Sequence, residues 1–393
     1  MKPLPITAWS VVNALGTGAA ATLAALRARR SGLTENDFAP AAGGGFIGRV
    51  AGVAGHHLPG AFARFTCRNN LLLDLALRAD RFDAQVAAAA RRVGPARIGV
   101  VLGTSTSGIT AGEAAFRQRD PASGALPADF DFAHTQDFFS AARFVRAALG
   151  LAGPAFVVST ACASAARSFV DAAQLIAAGV IDAAVVGGAD SLCHMTLAGF
   201  AALGLISPFP CRPCDAARAG LSIGEAAGLA LLERDGEAPF ALLGYGESSD
   251  GYHMSAPHPE ARGAIAAMRD ALARASLVPA AIDYINLHGT GTPANDASED
   301  RAVFEIFADQ TPCSSTKGFT GHTLGASGIV EAVIALLALH EGFLPGCLGV
   351  TRLDPGFRAR VLLDNESRPI GRVLSNSFGF GGANCSLIFG RAG

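Results

Sequence analysis

Residues 155–178 read AFVVSTACASAARSFVDAAQLIAA, and two periodicities meet inside them. Ala155–Ser159 is a short, continuously apolar, β-branched run, the pattern of a strand buried on both faces. Ala161–Ala178 has helical composition, so the chain passes from strand to helix around Cys162. The same grammar recurs along the chain. Arg97–Leu102 (RIGVVL) ends at Gly103, and Ala183–Gly187 (AAVVG) reads as a further strand. In the second half Phe240–Leu243 reads as a strand and Gly263–Ala275 as an amphipathic helix. Ile282–Leu287 is a strand that runs into His288-Gly289-Thr290-Gly291, and Ser327–Leu339 is a mostly apolar helix. Val373–Ser375 and Cys385–Phe389 read as two strands joined by the glycine loop Phe378–Gly382. Apolar strands alternating with helices predict an α/β fold with parallel pairing. A brief polar stretch at Arg234–Ala238 (RDGEA) divides the chain into halves 1–236 and 237–393, arranged as a duplicated α/β unit would be.

Composition narrows the function. Half of the 393 residues are hydrophobic and 16% are charged, enough apolar surface for a large core. The formal net charge of -2 lacks the basic excess of a nucleic-acid binder. Eight cysteines are scattered singly, as reduced thiols are, and do not form a disulfide framework. The stretch from Lys2 through Ile6 to Ala25 only faintly mimics a leader, because Pro3, Pro5 and Asn13 interrupt it. The best candidate for a membrane span, Ile329–Leu339, is short and contains Glu331. The expected location is the cytoplasm, with no membrane contact.

Three strand ends carry chemistry. Cys162 follows a strand and opens a helix, where the helix dipole favours thiolate. Its neighbours Ala161, Ala163, Ser164 and Ala165 are small and leave room for a bulky substrate. His288 ends a strand, and His322 lies just before a helix in the segment Ser314–His322. Imidazole N–H groups at such junctions can hold a thioester enolate. Their spacing does not match local metal ligands, so no metal is expected. Lys317 precedes His322 by five residues, and Glu331 sits in an apolar helix where a carboxylate needs a partner; Lys317 is the natural one. The glycines of Phe378-Gly379-Phe380-Gly381-Gly382 let backbone N–H groups approach a ligand. Three motif matches are discounted for want of context: GxGxxG at Gly43–Gly48, GxSxG at Gly220–Gly224, and the lone CxxC of Cys211 and Cys214.

Five segments in fixed order match one family: Ser159–Ser164, Cys211–Pro213 with Asp215 and Arg218, Asn286–Pro293, Ser314–Ala326, and Asn376–Asn384. On these the chain resembles the β-ketoacyl-acyl-carrier-protein synthases of the thiolase superfamily, of the Cys-His-His kind. The resemblance implies a thiolase-like duplicated five-layer α-β-α-β-α fold and a dimer. It implies Cys162 as the acyl-accepting nucleophile, His288 and His322 as the decarboxylating pair, and Lys317 with Glu331 as their support. Phe380 becomes a gate flanked by Gly379 and Gly381, its N–H and that of Cys162 the oxyanion donors, and Thr106 a pocket residue at the dimer interface. Cys214, Ala219 and Ala226 depart from the family pattern around one loop. The stretch Gly187–Ser207 is similar to the synthases of aryl polyene clusters, whose active subunit pairs with a related chain lacking the Cys.

The implied reaction condenses an acyl thioester with malonyl carrier protein. It needs no cofactor beyond the phosphopantetheine that the acyl carrier protein brings. An acidic carrier calls for basic docking residues, for which Arg64, Arg68, Arg212 and Arg218 are candidates. Two alternatives are a thiolase-like acyltransferase, for which Cys385 would be the second thiol, and a non-catalytic chain-length subunit. The dimer partner is a second copy or such a related chain.

Overall fold

The computed structural model describes residues 1–39 and 44–392. The main sheet system has eleven strands among the described residues, ten along one path and a two-residue strand, Gly16–Thr17, paired beside the first. Those along the path are β1 (Leu4–Asn13), β2 (Ile98–Gly103), β3 (Ala155–Val158), β4 (Ala183–Asp190), β5 (Ala226–Glu233), β6 (Phe240–Ser249), β7 (Tyr284–Asn286), β8 (Cys313–Ser314), β9 (Arg372–Phe378) and β10 (Ala383–Arg391). Their spatial order is β8-β7-β9-β10-β6-β1-β5-β4-β2-β3. Adding five to each label of β3-β2-β4-β5-β1 gives β8-β7-β9-β10-β6, so the second half repeats the topology of the first. The directions repeat too. β2 is parallel to β3 and β4, as β7 is to β8 and β9, and the remaining neighbours in each half are antiparallel. The halves meet where β1 and β6 pair antiparallel over Leu4 and Pro5 against Leu242 and Ala241.

Helices fill the layers. Arg68–Arg78 (α1) and Phe139–Ala148 (α2) cover the outer face of the first sheet. Ser164–Ala177 (α3) and Ser327–Glu341 (α6) lie between the sheets, and Arg262–Ala275 (α4) with Pro293–Phe307 (α5) cover the second. This is the five-layer α-β-α-β-α sandwich. The two inner helices cross in near backbone contact: a Cβ added at Gly328 would lie 2.4 Å from Ala166 N. Burial on every side explains the composition of α6, whose residues from Ser327 to Leu339 are all buried. With its leading turn it spans the 18 residues Leu324–Glu341, and 89% of that window is enclosed in protein, so its length and hydropathy serve the core.

The sequence pattern located most strands, but it took the pairing as parallel where the sheets are mixed. It also missed β1, β5 and the two-residue β8. The segment set against a leader is β1, in which Leu4, Ile6 and Ala8 point inward in alternation. Prolines at 3 and 5 are tolerated there because β1 enters at the seam, where pairing on one side is only two residues long.

Candidate active site

The three strand ends converge. Helix α3 begins at Ser164, so Cys162 lies in the turn before it and not in its first turn. Ala161, just ahead, takes a left-handed backbone (φ 50°), which swings the next side chain out of the strand line. Across the pseudo-twofold, Leu324 has the same conformation (φ 54°) three residues before Ser327, as Ala161 has before Ser164. His322 therefore reaches the same point from the opposite half. Its Nε2 lies 3.0 Å from Cys162 Sγ and its Nδ1 lies 3.0 Å from Ser327 Oγ. His288 leaves the end of β7, with its ring centroid 5.2 Å from that of His322 at 83°. Backbone–carboxylate bonds hold it there: the N–H groups of His288 and Gly289 donate to Glu299 at 2.8 and 2.7 Å.

Lys317, 1% exposed, donates to Glu331 and to the His288 carbonyl, with Nζ 3.4 Å from His288 Nδ1. The inferred Lys317–Glu331 pair is thus present, directly behind the two rings. Burial and then the Lys317 charge hold both imidazoles well below the ordinary range, so both are neutral at neutral pH. Burial also pushes the Glu331 carboxyl up to about 7, against the pull of Lys317.

The thiol departs from the sequence expectation. Burial pushes Cys162 up to about 12, more than the opposing Lys317 charge and the Phe380 N–H can offset. The resting group is a thiol, and its proton has a base 3.0 Å away.

The glycine loop closes the site. The Phe380 N–H lies near enough to Sγ to oppose the rise in its pKa. A Cβ at Gly379 would lie 2.8 Å from Thr160 O and 3.2 Å from Cys162 N, so only glycine lets the loop sit against the nucleophile's turn. Gly381 (φ 80°) donates to the Met254 carbonyl at 2.8 Å, and the Phe380 ring stacks on Phe200 at 5.5 Å. Cys162, His288 and His322 face a cavity of about 230 Å³ walled by Phe200, Leu205, Phe378 and Phe380 on one side and Thr290, Thr292 and Asn295 on the other.

Donor atoms of Cys162, His288 and His322 lie within 4.8 Å of one another, the grouping of one sulfur and two imidazoles that the sequence reading expected. The Lys317 ammonium against His288 works against a second cation there.

Several sequence candidates lie elsewhere. Thr106 is not among the residues lining the cavity; its N–H and hydroxyl both donate to Asp190 at 2.9 Å. Arg68 is turned inward, bidentate at 2.6 Å to Glu225, which is 0% exposed. Arg218, 6% exposed, pairs with Asp354 at 2.5 Å over the Phe357 ring. Arg68 thus neutralises a fully buried carboxylate, and Arg218 also lies 3.6 Å from the buried Asp296. Arg64 is exposed beside Asp131, and Arg212 is partly exposed beside Phe209. Cys385 is buried in β10 and absent from the cavity lining, which removes the second thiol of a thiolase. Ser222 is buried, with its carbonyl accepting from His322 N at 2.7 Å, and is no nucleophile. Cys211 and Cys214 are free and buried, with Cys211 Sγ donating to the Lys317 carbonyl. Gly43, which opens the discounted glycine motif, lies outside the described residues.

Residues 75–238 match the description "Beta-ketoacyl synthase, N-terminal domain" and residues 240–351 match "Beta-ketoacyl synthase, C-terminal domain". The chain belongs to the β-ketoacyl synthase family. Among curated family members it is 40% identical over 262 residues to a mitochondrial 3-oxoacyl-[acyl-carrier-protein] synthase of Arabidopsis thaliana, covering 61% of this chain and 57% of that protein. To 3-oxoacyl-[acyl-carrier-protein] synthase 2 of Staphylococcus aureus it is 32% identical over 363 residues, 85% of this chain and 89% of that one. Among solved β-ketoacyl synthase folds, a ketosynthase in complex with its chain length factor from Xenorhabdus doucetiae superposes with a TM-score of 0.91 at 40% identity, covering 99% and 98% of the two chains. A ketosynthase from Burkholderia phymatum superposes at 0.88 with 30% identity over the whole of both.

Proposed function

We propose that this chain is a 3-oxoacyl-[acyl-carrier-protein] synthase, catalysing decarboxylative Claisen condensation of an acyl thioester with malonyl carrier protein. One observation carries the reading: a buried thiol touches one neutral imidazole while a second faces the same cavity. In the first half-reaction Sγ attacks the acyl thioester carbonyl as its proton passes to His322 Nε2. The N–H groups of Cys162 and Phe380 receive the developing oxyanion, and the carrier thiol leaves with a proton. In the second, malonyl thioester loses carbon dioxide, and its enolate oxygen is held by His288 and His322. The enolate carbon attacks the acyl-Cys162 carbonyl, the C–S bond breaks, the released thiolate regains a proton from solvent by way of His322 Nε2, and 3-oxoacyl carrier departs. Burial and the Lys317 charge keep the imidazoles neutral, and Glu331 holds Lys317 in place. The chemistry calls for no metal or organic cofactor, since the phosphopantetheine arm travels on the carrier. Arg64 and Arg212 are the remaining basic residues for carrier docking.

We place the chain in the aryl polyene branch, as the catalytic member of a heterodimer with a related chain lacking the Cys. The likeness over nearly the whole chain to the Xenorhabdus ketosynthase, which is in complex with its chain length factor, supports the pairing. So does β3, the last strand at one end of the sheet, whose four residues AFVV are only half-buried and offer an edge for pairing. Eight free cysteines suit the reducing cytoplasm.

Intact mass spectrometry after incubation with an acyl carrier protein tests the reaction. The expected result is an acyl adduct on Cys162, discharged as 3-oxoacyl product when malonyl carrier is added. A chain that gains no acyl group overturns the reading. Native mass spectrometry after co-expression with the Cys-less relative tests the partner; an exclusive homodimer overturns the pairing.

A further inference from the structure

The crosswise contact that builds the site is made twice. The end of β9, Phe378–Phe380, reaches into the other half and meets the turn before α3 that carries Cys162. By the same symmetry the end of β4 reaches the turn before α6. There the position equivalent to Cys162, one residue after the left-handed Leu324, is Gly325. The residue that meets it is Asp190, 0% exposed and outside every step described above.

Asp190 gathers three segments. Its Oδ1 accepts from Thr104 Oγ1 at 2.6 Å, from Ser105 N at 2.8 Å, and from Thr106 N and Oγ1 at 2.9 Å. Its Oδ2 accepts from Ser105 Oγ and from Gly325 N at 2.6 Å. The turn is packed without slack: a Cβ at Gly325 would lie 2.8 Å from Asp190 Oδ2 and 3.0 Å from Ser105 N. Gly325 stands between His322 and Ser327, the ring and the hydroxyl that orients it. A shift of that turn therefore carries the imidazole with it.

We propose that Asp190 is a positioning residue for the condensation, anchoring the Gly325 turn to the Thr104–Thr106 turn so that His322 Nε2 stays on Cys162 Sγ. The inference rests on the reading of His322 as the proton acceptor. A neutral amide cannot replace the carboxylate, because every partner at Asp190 is used as a donor and an amide nitrogen would face donors. A displacement on the order of 1 Å at such a site costs about 10²-fold in rate.

The test compares Asp190→Asn with Gly325→Ala in the full chain, using two readouts. The first is the acylation rate from acyl carrier protein near neutral pH. The second is the pH profile of Cys162 alkylation by iodoacetamide, which needs no carrier. The charges facing the sulfur are Lys317, which lowers its pKa, and Asp190 and Glu331, which raise it; His322 and His288 are its uncharged neighbours. Removing the Asp190 charge thus eases thiol ionisation while loosening the base. Asp190→Asn is expected to slow acylation about 10²-fold and to move the alkylation midpoint to lower pH. Gly325→Ala keeps the charge and is expected to slow acylation with the midpoint unmoved. Structural damage alone would depress both readouts in both variants. Acylation within twofold of wild type in Asp190→Asn overturns the proposal. Failure of the catalytic reading is seen separately, as wild-type protein that alkylates at Cys162 but never accepts an acyl group.

Discussion

His322→Ala separates two ways in which the sulfur can become nucleophilic. With the thiol pushed up to about 12 by burial, the gap to a working pH near 7.5 is roughly 4.5 units. Unaided, only ~3 × 10⁻⁵ of the sulfur is thiolate at that pH. The wild-type chain avoids this because Nε2 takes the proton at 3.0 Å as the bond forms. The sign of the pH dependence follows. His322 is held below its ordinary range, so it stays an available base above that lowered value and wild-type acylation is flat across pH 6.5–9.5. In the variant, rate tracks free thiolate: it rises about tenfold per pH unit and lies up to ~10⁴-fold below wild type at pH 7.5. Quenched-flow acylation read by intact mass supplies both numbers. A variant with a flat profile and near wild-type rate refutes the assignment of His322 as proton acceptor.

Three further perturbations follow from the geometry. Lys317→Met leaves Glu331 buried without its cation and should cost about 3–5 kcal/mol in chemical denaturation, whereas Lys317→Met with Glu331→Leu recovers most of the stability and none of the activity. Gly379→Ala places a Cβ 2.8 Å from Thr160 O, which withdraws the Phe380 N–H; single-turnover condensation should fall about 10²–10³-fold with the thermal melt unchanged. Arg68→Ala strands Glu225 in the interior and should lower the melting temperature without raising the KM for carrier protein, while Arg64→Ala should leave the melt unchanged.

Cys162 and its two histidines were readable in the sequence because each sits where an apolar run ends in small residues. That junction has a local signature. The residues that hold them do not. Glu299 and Asp190 work through backbone N–H groups of distant segments, and a backbone donor leaves no mark on the sequence of its acceptor. Arg68 and Arg218 show the converse limit. A charged letter reports neither its burial nor its partner, so the sequence did not show that Arg68 and Arg218 are engaged in ion pairs. The Thr106 hydroxyl is engaged by a carboxylate 84 residues away, a partner that sequence proximity does not show. β1 was hidden by its prolines, although its alternation of inward and outward residues is plain once the seam is seen. The thiolate expectation came from helix position alone and was overridden by desolvation, the larger effect in a closed cavity.

The enclosed helix α6 has a consequence for how the chain is made. Its inward and outward faces are equally apolar, and both sheets use it as their shared inner cover. During synthesis the first sheet and α3 are complete by Glu233, yet the rest of the sheet's inner cover, α6, is still about a hundred residues from leaving the ribosome. The nascent chain therefore presents an oily flat surface for several seconds at ordinary elongation rates. Its yield in cells should depend on chaperones that cloak that surface until the last hundred residues arrive.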